Sequence, residues 1–78
     1  MNIQLPKIVA ARDYHDFNHM YDTFQIISKD IRVEEVGFCA PLYIGVVYDR
    51  NNAPSSESVL DLVEKAGYHI DKDDWTYA

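Results

Sequence analysis

The sequence has few of the residues from which small proteins usually build staples and cofactor cradles. Its 78 residues include one cysteine, three glycines, three prolines and one tryptophan. With Cys39 alone, no intramolecular disulfide and no CxxC zinc or redox site can form, and such usage is expected of a reducing cytoplasm. Gly37, Gly45 and Gly67 are scattered, so no glycine-rich phosphate loop exists, and there is no GxSxG nucleophile elbow. Long apolar runs are also missing. The richest, FCAPLYIGVVY, falls far short of the roughly 20 residues that span a bilayer and is interrupted by Pro41 and Gly45. The start, MNIQLPKIVAA, lacks the charged n-region, long hydrophobic run and cleavage site of a signal peptide.

Positive charge is scarce as well. Seven Lys and Arg stand against 13 Asp and Glu, a formal net charge of −6. Affinity for nucleic acid grows with each phosphate neutralised, so direct binding to DNA or RNA is not expected, whereas a basic protein partner is. The imbalance is concentrated: residues 57–78 hold Glu57, Asp61, Glu64, Asp71, Asp73 and Asp74 against Lys65 and Lys72, a net of −4.

What the chain does have is core-forming material. It is 47% hydrophobic and 26% charged, too apolar for intrinsic disorder. Its length suits one domain, residues 1–78, in which a deep, water-excluding active site is hard to build. Ile8, Val9 and Ala10 suggest a short strand at 7–10, beginning after Pro6, which cannot donate to a ladder. Over 13–28, Tyr14, Phe17, Tyr21, Phe24 and Ile27 or Ser28 recur at the helical period, with Asp13 as N-cap and Asp16 at N3. IRVEEVGF and LYIGVVYD, separated by CAP, read as a hairpin. The second run carries apolar side chains on both faces, as an inner strand would. A second helix is expected from about 56, capped by Ser55 or Ser56, with Val59, Leu60, Val63 and Ala66 buried and Gly67 ending it. YHI then suggests a last strand. The order matches a split βαβ or ferredoxin-like βαββαβ α+β fold, a four-stranded antiparallel sheet with two helices on one face.

Few motifs carry chemistry. HDFNH, residues 15–19, approaches the HExxH helix of zinc peptidases, and at about 100° per residue His15, His19 and Asp22 share one helix face. Asp16, however, is a shorter arm than the Glu that serves as general base, and the triad lies opposite the aromatic stripe, where it would be hydrated. A solvated helix face is the simpler account, with a weak adventitious zinc, nickel or copper site as the most the triad offers. DKDDWTY and DRNNAPSSE cluster oxygen ligands but depart from the EF-hand pattern: Thr76 replaces the glycine at loop position 6, and Leu60 stands where a bidentate Glu belongs. Cys39, beside Phe38 and Ala40, reads as a small packing residue rather than as the partner of a histidine.

The acidic, aromatic C-terminal region is a more specific candidate. Trp75 and Tyr77 are residue types favoured as interface anchors, and carboxylates around them would steer a basic partner. The competing account has Trp75 closing a small core and the aspartates maintaining solubility. The function expected is a small acidic, non-enzymatic binding protein, needing no cofactor. It would dock on a larger basic or nucleic-acid-binding protein as an inhibitor or regulator, itself a monomer or homodimer. Glu57, Asp61, Glu64, Asp71, Asp73, Asp74, Trp75 and Tyr77 are the expected contacts, and nucleic-acid mimicry is a specific form of the idea. In size and charge the chain resembles small phage-encoded anti-defence inhibitors, although no residue motif carries the likeness. The alternatives are a dimeric small-molecule-binding regulatory module and a metal-dependent enzyme using the HDFNH helix.

Overall fold

The chain forms β1 (Lys7–Ala11), α1 (Tyr14–Ile27), β2 (Ile31–Cys39), β3 (Leu42–Asp49) and α2 (Ser56–Lys65), with short 3-10 turns at Arg50–Asn52 and Lys72–Asp74. The computed structural model describes residues 4–77; the first three residues of the apolar start lie outside the described residues, as does residue 78. Among the described residues no helix is long and apolar enough to cross a membrane.

Helix α1 begins where its caps dictate. Asp13, in extended backbone, accepts from the Asp16 amide at 3.0 Å, and the Asp16 carboxylate accepts from the Arg12 amide at 3.3 Å. The side chains it turns inward are Phe17, Met20 and Phe24. Tyr14 and Tyr21 lie at the margin of this face, 57% and 37% exposed, so the expected aromatic stripe is only partly a core stripe. Helix α2 is bounded as firmly. The Ser55 hydroxyl accepts from the Ser58 amide, and at the other end the Gly67 and Tyr68 amides donate to the Glu64 and Val63 carbonyls. This is a Schellman ending, with Gly67 at φ +91°. Val59 and Val63 are fully buried, but Leu60 and Ala66, expected beside them, are exposed. On a ten-residue helix the contact narrows to the i, i+4 pair.

The sheet has strand order β1-β3-β2, with β3 antiparallel to both neighbours. Strands β1 and β2 therefore run parallel, joined by the α1 crossover with β3 inserted between them: a split βαβ unit. Ile8 pairs with Val46, Ala10 with Ile44, and Val33 with Val47, while Val36 sits in a bulge between Glu35 and Gly37.

Two features of the expected ferredoxin-like topology are not found. The helices do not share a face. Val59 and Val63 of α2 cluster with Val36, Ile44, Val46, Ile70 and Tyr77 on one side of the sheet. Phe17 of α1 lies on the other, so close to Gly45 that an added Cβ would come within 2.8 Å of its ring. The reason is written in β3: Ile44 and Val46 project one way, Val47 the other, all fully buried, and both layers need a cover. Each of these buried valines and isoleucines contributes roughly 1.5–3 kcal/mol relative to an exposed one. Nor is there a fourth strand among the described residues. After Gly67 the chain reaches the free edge of β2, not that of β1, and makes a single bridge between Trp75 and Gly37. The charged stretch Asp71–Asp74 turns as a 3-10 helix instead of extending a ladder.

Candidate functional site

The C-terminal segment determines the shape of the acidic end. Its approach to β2 depends on Gly37: a Cβ there would lie 2.7 Å from Ile70 Cγ2 and 2.8 Å from the Asp74 carbonyl oxygen. Beyond this contact, the Thr76 amide donates to the Val36 carbonyl at 2.8 Å. Two aromatic polar tips then tie the segment to the start of α2. Trp75 Nε1 donates to Ser56 Oγ at 3.3 Å, and the Tyr77 hydroxyl donates to the Pro54 carbonyl at 2.7 Å. The two rings meet edge to face, with centroids 6.5 Å apart.

Between α2 and this segment lies a groove of about 340 Å³, lined on its apolar surface by Leu60, Ile70 and Trp75. Glu57 and Glu64 line the α2 wall, with Leu60 between them in sequence; His69 and Lys72 line the opposite wall. The groove lies at the lower end of the range for small-molecule pockets, about 300–1,000 Å³, a size suited to one or two side chains of a partner. The nearby charges are partly matched. Asp61 pairs with Lys65 at 3.0 Å, whereas among the described residues Glu57 and Glu64 have no ion-pair partner; His69 Nε2 lies 3.3 Å from an Asp71 carboxylate oxygen.

Of the eight residues expected to contact a partner, the groove collects Glu57, Glu64 and Trp75. Asp61, Asp71, Asp73 and Asp74 are exposed around it. Tyr77 is not available: at 8% exposure it belongs to the core. Trp75, half-buried, both closes the core edge and lines the groove. Sequence reasoning missed Leu60 and Ile70 as groove residues because it assigned one to a buried stripe and the other to a strand. For His69 and Lys72 there was no local signal.

The other candidate chemistry does not converge. His15, His19 and Asp22 are all exposed on α1, and among the described residues no group of three His, Cys, Asp or Glu side chains is arranged to hold a metal ion. Cys39 is half-buried and packs against the α2-side core. The Asp49 carboxylate, first in DRNNAPSSE, caps the 3-10 turn by accepting from the Asn51 amide.

Three phenols are held protonated. The hydrogen bond to Glu35 and that carboxylate's charge raise the Tyr14 pKa. Burial, then the nearby Glu34 carboxylate, raises those of Tyr48 and Tyr77. No protein-family model matches the chain, and no curated protein or solved structure matches it.

Proposed function

We propose that the protein is a non-enzymatic docking module whose acidic end seats on the basic surface of a larger protein and thereby inhibits or regulates it. The observation that carries this reading is the groove: Leu60, 41% exposed, and the half-buried Trp75 form an apolar patch flanked by Glu57 and Glu64. An aromatic anchor within a charged rim supports binding in two ways. The apolar contact supplies affinity, and the surrounding carboxylates accelerate encounter with a cationic surface and reject anionic ones. The carboxylates are exposed, so each is worth about 0.2–1 kcal/mol and is screened over about 8–10 Å at physiological salt.

Capture of partners on the tagged protein, with low-salt and high-salt washes side by side, tests the reading. It expects a stoichiometric basic protein released by salt. A partner indifferent to salt would remove the electrostatic part, and return of the bait alone at every salt concentration would count against docking altogether.

A further inference from the structure

We propose that the groove takes an extended cationic segment of the partner, with one aliphatic or aromatic side chain against Leu60, Ile70 and Trp75 and a basic residue on either side facing Glu57 and Glu64. The inference rests on the docking reading and specifies its contact.

The spacing selects the conformation. Glu57 and Glu64 are seven residues apart on α2, about 10 Å along the helix axis at 1.5 Å per residue. An extended chain turns alternate side chains to one face, so basic residues at i and i+4, about 13 Å apart, bracket the two carboxylates with an apolar residue at i+2 opposite Leu60, and their long flexible arms take up the difference. A helical occupant would need about seven residues for the same span. Charge selects the sign. The opposite wall presents Lys72, and His69 is already engaged by Asp71. The two walls thus differ, but six carboxylates against two lysines over residues 57–78 give the surroundings a net −4. An anionic segment, the occupant Lys72 would favour, has to approach through that field. Lys72 therefore acts as a local repulsive element that weakens binding of a cationic segment.

Trp75 is the sole tryptophan and lines the groove, so a ligand seated there changes its emission. The probes are three end-capped peptides: Lys-Gly-Leu-Gly-Lys, its analogue Glu-Gly-Leu-Gly-Glu, and Lys-Gly-Gly-Gly-Lys without the anchor. The expected result is a saturable change in Trp75 emission with the first peptide and a weaker response to the other two. Glu57→Gln with Glu64→Gln should weaken the first peptide about fivefold, and Lys72→Gln should tighten it about twofold. All three positions are exposed, so the variants keep the fold, which far-ultraviolet circular dichroism checks. Equal or tighter binding of the Glu peptide, no binding of the Lys peptide, or weakening by Lys72→Gln would each overturn the inference. Capture of the partner on the same double variant separates this claim from its parent. A partner that the variant holds as tightly as the unaltered protein does, and that salt releases, overturns the groove and leaves docking standing, whereas recovery of no partner by the unaltered protein counts against docking itself.

Discussion

Replacing Gly37 by alanine would wedge a methyl group between β2 and the C-terminal segment, at 2.7 Å from Ile70 Cγ2 and 2.8 Å from the Asp74 carbonyl oxygen. Ile70 is buried, and the oxygen belongs to the backbone, so neither yields by a simple rotamer change. Overpacking of this kind costs about 1–3 kcal/mol. If the segment lifts to relieve it, the Thr76–Val36 hydrogen bond weakens, adding about 1 kcal/mol. A loss of about 2–4 kcal/mol is large beside the total of about 4–12 kcal/mol expected for a domain of this length. Urea unfolding followed by Trp75 emission reads both consequences. The midpoint should fall by about 2–4 M for an m-value near 1 kcal/mol/M, and folded-state emission should shift to the red as the indole leaves Ser56. Gly45→Ala is the matched comparison, because its methyl meets the Phe17 ring at 2.8 Å on the opposite face of the sheet. It should lower the midpoint without shifting the folded-state emission. A Gly37→Ala protein within about 0.5 kcal/mol of the parent, with unchanged emission, would refute the argument that this glycine seats the segment.

Other consequences follow from single residues. Gly67 has φ +91° with open space where its Cβ would stand, so Gly67→Ala should cost about 1–2 kcal/mol through backbone strain alone. Gly67→Asn should cost less, and thermal melts at about 4–8 °C per kcal/mol would separate the two. Stability should also fall in alkali. Because the folded-state pKa values of Tyr48 and Tyr77 are raised, the folded protein binds more protons than the unfolded chain above the ordinary phenol value near pH 10. Their contribution is complete below about pH 10 and is lost as pH rises through the folded values. Urea midpoints between about pH 9 and 11.5 should show the decline, and Tyr77→Phe should flatten it; a midpoint that held steady or rose would contradict the assignment.

The parts of the fold legible in the sequence are those decided locally. Asp13 with Asp16, Ser55, and Gly67 mark helix ends through bonds spanning three to five residues, and those bonds are present. The hairpin of β2 and β3 follows from two β-branched runs and a short turn. The two-faced pattern of β3 was legible too, and it carried the signal that both faces are covered. Element order suggested a familiar topology with both helices on one face, but order alone does not determine the face on which a helix packs. The course of the C-terminal segment depends on contacts made far away in sequence, Gly37 with Asp74 and Tyr77 with Pro54, for which no local pattern exists. The same reason hid the groove. Leu60 has the right spacing for burial with Val59 and Val63, and only the placement of Ile70 and Trp75 turns it into the lining of an open site.

The most direct test of the acidic groove as the docking surface is a map of amide chemical shifts in the isotopically labelled protein, titrated with the Lys-Gly-Leu-Gly-Lys peptide at low and at high salt. The account predicts shifts confined to Ser56–Lys65 and to residues 69–75, together with the Trp75 indole proton, and strongly reduced at high salt. Shifts centred instead on the exposed Tyr21, Ile26 and Ile27 of α1, or on the outer edge of β1, would contradict it.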